Sequence, residues 1–216
     1  MPLVVAGLWR YPVKSLAGEP IHVAHLTEDG IPGDRIVHVR GPEGVRTSRR
    51  HYHLLGLRGT LSESGEPLVN GHAWNGAEAG ALVKEAAGDD AELIAYAGIE
   101  RFDVLPLLVA TDGAVAEFGR DIRRLRPNIL IGGVEGMAER TWAGKELWTG
   151  DAVIRLDSLR TRCPMTTVDP DTITRDPNVL KDIGRRFGGR IALNAEVLHP
   201  GIVRVGDVVE LVPSRS

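Results

Sequence analysis

Cysteine is almost missing from this chain of 216 residues, where Cys163 stands alone. That excludes an internal disulfide framework and any all-cysteine metal cluster, and it suits a reducing compartment. Aromatic residues make up only 5% of the chain, and no basic cluster is interleaved with them as single-strand binding requires. Positive charge is not in surplus. Against 26 Lys and Arg stand 29 Asp and Glu, a net charge of −3, so no dedicated nucleic-acid partner is expected. Long apolar runs are missing too. The stretch Leu3-Val4-Val5-Ala6-Gly7-Leu8 is too short to span a bilayer, has no basic segment before it and runs directly toward Arg10 and Lys14. It reads as a first strand rather than a signal peptide or a membrane anchor, and the expected location is cytoplasmic.

Several common chemistries lack their residues. The glycines of Gly184-Arg185-Arg186-Phe187-Gly188-Gly189 do not have dinucleotide-binding spacing, and no glycine-rich segment ends in Gly-Lys-Ser or Gly-Lys-Thr. His51 and His53 share one face of a strand if extended, but no cysteine or third nearby histidine completes a zinc set. No serine sits in a nucleophile elbow.

What is present is a chain of short strands with a few helices. Leu3–Trp9, Ile21–Thr27 and Arg35–Arg40 read as strands, the second with Ile21, Val23 and His25 opposite His22 and Ala24. Three Gly-Asp pairs, Gly33-Asp34, Gly150-Asp151 and Gly206-Asp207, mark tight turns into strands, as the corners of a barrel require. Helices are expected over residues 77–87, with Gly88 as the stop, over residues 112–118, capped by Thr111 or Asp112, and over residues 177–186, with Pro177 in the first turn. No alternation of strand and helix organises them. The fold class is therefore mainly β with short helices, in two intimately packed parts. The segment from Gly88 to Glu100 is the nearest thing to a boundary, although Leu93-Ile94-Ala95-Tyr96 inside it reads as ordered.

The candidate chemistry centres on Arg160-Thr161-Arg162-Cys163-Pro164. Two neighbouring guanidinium groups favour the thiolate, and Pro164 ends the local element. On local sequence alone the more ordinary reading of Cys163 is a small buried hydrophobe. Elsewhere, Lys14-Ser15, Arg35, Thr47-Ser48-Arg49-Arg50 and Arg123-Arg124-Leu125-Arg126-Pro127-Asn128 place amines, guanidinium groups, hydroxyls and an amide in separate segments. Such donors suit a polyanionic ligand gripped from several loops. A soft metal carried by that ligand needs a thiolate.

Taken in order, Tyr11-Pro12-Val13-Lys14-Ser15, Gly33-Asp34-Arg35, Thr47-Ser48-Arg49, Arg126-Pro127-Asn128-Ile129, Arg162-Cys163 with Thr167-Val168-Asp169-Pro170, and Val205-Gly206-Asp207 give the chain its family likeness. It resembles the MOSC-domain family, in particular the two-domain members related to the amidoxime-reducing components and to the C-terminal domain of molybdenum cofactor sulfurase. The resemblance implies a MOSC β-barrel domain over about residues 96–216. It also implies a smaller β-rich domain over about residues 1–95, whose first strand returns to the larger one.

It further implies a molybdenum cofactor, molybdopterin with its metal, bound by Cys163. Lys14, Ser15, Arg35, Ser48, Arg49, Arg126, Asn128, Thr161 and Arg162 would surround the pterin and its phosphate, and Asp169 would steady the cysteine loop. Arg50 departs from the glutamine common in the family. No intrinsic iron–sulfur cluster, haem or flavin is expected. The implied reaction removes oxygen from a small N-hydroxylated substrate, with electrons from a separate flavoprotein or ferredoxin-like donor. Cofactor binding or delivery without turnover, and a persulfide carried on Cys163, are the alternatives.

Overall fold

Seven strands close into a barrel around the main apolar core. In the computed structural model, which describes residues 2–96, 98 and 101–213, the strands run around the wall as Leu3–Arg10, Ile129–Gly132, Leu107–Thr111, Arg190–His199, Ala152–Thr161, Lys145–Thr149 and Val208–Pro213. The last pairs again with Leu3–Arg10. Every neighbouring pair is antiparallel except Leu107–Thr111 with Ile129–Gly132, which is parallel. Ala152, Ile154 and Leu156 point inward from one strand and meet Val5, Leu8, Val109, Ile131, Leu147 and Leu193 from the others. Filling the interior with β-branched and leucine side chains makes this a packed core.

Short β-sheets and a helix form the smaller part. Val37–Gly41 lies between Gly44–Arg46 and Glu92–Ala95, while Gly59–Leu61, Pro67–Val69 and His72–Ala73 form a second three-stranded sheet. Helix α1, Ala77–Ala87, lays Ala79, Val83 and Ala87 against Val37, Val39, Leu54 and Val69 and ends at Gly88. The small side chains let the helix approach closely. Glu92–Ala95 is ordered within the expected boundary segment, whereas Ala97, Ile99 and Glu100 of that segment lie outside the described residues.

The remaining helices cover one end of the barrel. Helix α2, Asp112–Phe118, is capped by the Thr111 hydroxyl, which accepts from the Ala114 N–H at 3.2 Å. Helix α3, Pro177–Phe187, has Pro177 in its first turn and the Asp176 carboxylate as cap. Phe118, Val179, Ile183 and Phe187 pack with Leu125 and Ile191 into a third apolar cluster. The chain's start belongs to the barrel as well, since Leu3–Arg10 is a wall strand and Val23–Leu26 pairs with Gly201–Arg204.

Two strand expectations are corrected. The segment from Ile21 to Thr27 is two strands, Glu19–Ile21 and Val23–Leu26, with the reverse facing: Ala24 and Leu26 are buried and Val23 and His25 exposed. At His22 the chain leaves Leu3–Arg10 for Gly201–Arg204, and that change of partner resets the pleat. Arg35 does not open the third strand, which starts at Val37; it adopts a left-handed backbone with φ of 55°.

Ile154 is fully buried at the barrel centre. Truncating it, Ile154→Ala, is expected to lower the unfolding free energy by about 2–5 kcal/mol, read as a shift of the urea midpoint.

Candidate functional site

Tyr11 leaves the first wall strand and anchors a cluster of charges at the seam between the two parts. Its backbone N–H donates to Asp34 Oδ1 at 2.7 Å and its hydroxyl donates to the Pro127 carbonyl at 2.9 Å. The guanidinium of Arg126 lies 4.3 Å from its ring centre and that of Arg35 5.2 Å. A Cβ at Gly18 would come within 2.4 Å of the ring, so the glycine makes room for it. Burial pushes the phenol up to about 12, so Tyr11 remains a neutral donor. Asp34 is fully buried and paired with Arg35.

The backbone at this seam is strained. Ser15, Arg35 and Arg126 have φ of 74°, 55° and 56°, three of the six non-glycine residues with positive φ among those described. Each such conformation costs on the order of 1–3 kcal/mol and persists only where its surroundings fix it. Hydrogen bonds supply that fixing. The Lys14 N–H donates to Val37 O at 2.7 Å, the Arg35 N–H to Tyr11 O at 2.7 Å, and Arg126 Nη1 to Leu16 O at 2.6 Å. Burial lowers the Arg126 pKa to about 10, which leaves it a cation at neutral pH.

Across the cleft the wall strand Ala152–Thr161 loses its regular register between Leu156 and Ser158 and again between Leu159 and Thr161. Irregularities of this kind re-aim side chains, and Arg160, Thr161, Arg162 and Cys163 all come to line the cleft. Arg162 Nη2 donates to Leu125 O at 2.7 Å, its backbone N–H donates to Gly189 O at 2.9 Å, and burial lowers its pKa to about 10. Cys163 is a half-buried free thiol. Its carbonyl accepts from the Thr166 N–H at 3.1 Å and from the Thr166 hydroxyl at 2.9 Å, at the start of a 3-10 turn over Pro164–Thr167. The loop beyond is tied by Asp169, which accepts from Arg124 Nη2 at 2.8 Å and from the backbone N–H groups of Asp171 and Thr172.

One cleft therefore collects Lys14, Ser15, Arg35, Arg49, Arg126, Asn128, Thr161, Arg162 and Cys163 from segments far apart in sequence. Ser48 does not line it. That residue is fully buried, its Oγ has no hydrogen-bond partner, and its neighbour Thr47 faces the cleft instead. Asn128 reaches the cleft, but its side chain also bridges the barrel wall: Oδ1 accepts from the Leu108 N–H at 3.2 Å and Nδ2 donates to Trp9 O at 3.3 Å.

Asp103 was invisible to motif reading. Its carboxylate is shared by Lys14 Nζ at 3.1 Å, Arg49 Nη2 at 2.8 Å and Arg160 Nη2 at 3.2 Å. Burial alone would raise its pKa, yet Lys14, Arg49 and Arg160 together hold it below the ordinary carboxylate range. Arg49 is correspondingly raised, by Asp103 and by the Cys163 sulfur against the opposing effect of burial. Asn194, also missed, lines the same cleft and accepts from Arg160 Nη1 at 3.3 Å through Oδ1.

Chemically, the cleft offers cations and one thiol. Among the described residues no group of three or more His, Cys, Asp or Glu is placed to hold a metal ion. A metal here must arrive with most of its ligands, and Cys163 is the chain's only thiol. The arrangement fits such a group: the cations converge on the cleft, and Arg162, which lines it, keeps a buried Nε with no hydrogen-bond partner.

A closed β-barrel that presents a thiol within a cation-lined cleft defines a protein suited to gripping an anionic ligand beside sulfur. Residues 110–210, just under half of the chain, match the MOSC domain, and the chain is thereby related to the proteins that carry it. Among curated proteins it is 31% identical over 133 residues to human mitochondrial amidoxime-reducing component 1, covering 51% of this chain and 38% of the relative. It is 36% identical over 76 residues to mitochondrial amidoxime reducing component 2 of Macaca fascicularis, covering 32% and 22%. The match thus spans little more than a third of the first of these relatives. Among solved structures, the YUAD protein from Bacillus subtilis superposes with a TM-score of 0.55 at 13% identity, covering 100% of this chain and 98% of that one. That likeness concerns the fold alone.

The relatives' names overturn the cytoplasmic expectation, because these proteins are named as mitochondrial. A solitary cysteine marks a reducing compartment without saying which one. Among the described residues no helix is long and apolar enough to cross a membrane.

Two outcomes follow from the site's charges. Because the Asp103 pKa is lowered in the fold, its ion pairs are at full strength above the unfolded carboxylate value of about 3.9 and fade as the pH falls through the lower folded value. A carbon-13 NMR titration of its carboxyl group should place its midpoint below that of an exposed aspartate. Asp34→Ala would strand the Tyr11 N–H and the Arg35 charge, and is expected to cost about 3–5 kcal/mol in a denaturant titration.

Proposed function

We propose that this protein reduces small N-hydroxylated compounds by removing their oxygen, using a molybdenum cofactor and electrons delivered by a separate protein. The MOSC match supports a role in the redox chemistry of this group. The observation that carries the finer reading is the convergence of Lys14, Ser15, Arg35, Arg49, Arg126, Arg162 and Cys163 on one cleft. Lys14, Ser15 and Arg35 would hold the phosphate of the pterin, Arg126 and Arg162 its polar ring edges, and Cys163 the metal. When bound, the cofactor supplies the two-electron chemistry.

The chain's own residues supply the rest. Cationic side chains hold the anion from several directions, which fixes its orientation. Arg49, Arg160 and Arg162 line the cleft together with Cys163 and bring positive charge to the sulfur's side of it. The Thr166 contacts to the Cys163 carbonyl keep the sulfur from swinging with its loop. Next to the cleft, a cavity of about 480 Å³ lined by Val104, Ser158, Leu159, Thr161, Arg190 and Asn194, among others, is the proposed place for a small polar substrate. The electron donor is proposed to be a flavoprotein or a ferredoxin-like protein.

Protein produced in a host that makes the cofactor should contain molybdenum and pterin by elemental and fluorescence analysis, and should consume benzamidoxime when a reductant is supplied. Cys163→Ser is expected to lower that turnover at least about a hundredfold, with the circular dichroism spectrum and thermal midpoint unchanged. Failure of the protein both to copurify with the cofactor and to take it up on reconstitution would overturn the reading. Retention without turnover on any N-hydroxylated compound would instead favour cofactor delivery.

A further inference from the structure

Lys14, Arg49 and Arg160 come from three separate segments, and all three spend a contact on the same carboxylate. Asp103 accepts from them at 3.1, 2.8 and 3.2 Å. Among the described residues it is the only acidic one lining the cleft, alongside Lys14, Arg35, Arg49, Arg126, Arg160 and Arg162. The carboxylate side chain is 31% exposed and belongs to the irregular stretch between residue 101 and the wall strand Leu107–Thr111. The same loop is also tied where Lys14 Nζ donates to Arg101 O at 2.9 Å and Arg101 Nη2 donates to Asp29 O at 3.2 Å. Phe102 and Val104 on either side of it also line the cleft, and Val104 is 54% exposed. The chain thus carries its own anion in the place where an anionic ligand would meet these cations.

We propose that Asp103 is the residue that sets the charge this cleft demands of its ligand: a resident counter-anion that an incoming ligand must displace from Lys14, Arg49 and Arg160. A ligand with a single negative charge then only exchanges one carboxylate for another and gains little. A phosphomonoester or pyrophosphate group brings two or more negative charges to the same cations and exceeds what it displaces. The cleft therefore selects multiply charged phosphate compounds over simple carboxylates, and without a ligand Asp103 keeps the cations from repelling one another. This deepens the cofactor reading by assigning the selection of a phosphate-bearing ligand to one residue, and it rests on that reading only for the identity of the natural ligand.

The test uses two probes on the metal-free full chain, inorganic pyrophosphate and benzoate, by isothermal titration calorimetry at low salt. Wild type is expected to bind pyrophosphate at least about tenfold more tightly than benzoate. Asp103→Asn should bind both at least about tenfold more tightly than wild type, with benzoate binding emerging where it was barely measurable. Asp103→Glu, which keeps the charge, should behave like wild type and guards against a folding defect in the amide variant. Hydrogen exchange should show amides 101–105 becoming faster in wild type when pyrophosphate is added, as the tether is released. Unchanged or weaker pyrophosphate binding in a folded Asp103→Asn, or no preference for pyrophosphate in wild type, would overturn the proposal. Absence of molybdenum from purified protein would sink the proposed function while leaving this result standing.

Discussion

The seam between the barrel and the smaller β-rich part is held at Tyr11. Its hydroxyl is bound to the Pro127 carbonyl, its N–H to Asp34, and its ring lies beside Arg35 and Arg126. Two guanidinium groups that would otherwise repel one another are held near one aromatic face, with the buried Asp34 carboxylate neutralising one of them. Several of the cleft's polar groups are placed relative to this point. Lys14 and Ser15 follow Tyr11 directly, Arg126 precedes its acceptor Pro127, and Arg162 is bound to Leu125 in the same stretch. A change at Tyr11 would therefore reach the cleft through three segments at once.

Charge balance is the second organising constraint. The protein as a whole is slightly acidic, yet its cleft concentrates cations partly removed from water, where their mutual repulsion is little screened. Deep burial lowers the pKa values of Arg126 and Arg162 without discharging them. Backbone carbonyls at Leu16 and Leu125 absorb one donor from each. The left-handed backbones of Ser15, Arg35 and Arg126 show that the fold accepts local strain to direct these groups inward.

Much of this was legible in sequence where the signal was local. All three helices were readable because each carries its own punctuation: Gly88 after α1, Thr111 before α2, and Pro177 at the start of α3. The Gly-Asp turns into Ala152–Thr161 and Val208–Pro213 were readable for the same reason. The facing of Val23–Leu26 was not, since which side is buried depends on a partner strand almost two hundred residues away. Most of the cleft residues were legible through motif order, but Asp103 belongs to no motif. Its role exists only once Lys14, Arg49 and Arg160 have been brought together by the fold. Ser48 shows the opposite failure, because adjacency to Arg49 in sequence placed it in the site while the turn points its hydroxyl into the interior.

Seven is an odd number, and that has a consequence for the cleft. Strand directions cannot alternate all the way around a ring of odd size, so at least one neighbouring pair must run the same way. Here it is Leu107–Thr111 and Ile129–Gly132. Two parallel neighbours cannot be joined by a tight hairpin; the chain must travel back along the barrel before it can re-enter the sheet. That return journey is the segment from Asp112 to Asn128, through α2 and the turn at Ile122–Arg124. Its final residues, Leu125, Arg126, Pro127 and Asn128, are the ones that hold Arg162, flank and bind Tyr11, and bridge the wall. The Arg-Pro-Asn triplet sits at the mouth of the site because the parity of the barrel obliges the chain to come back there.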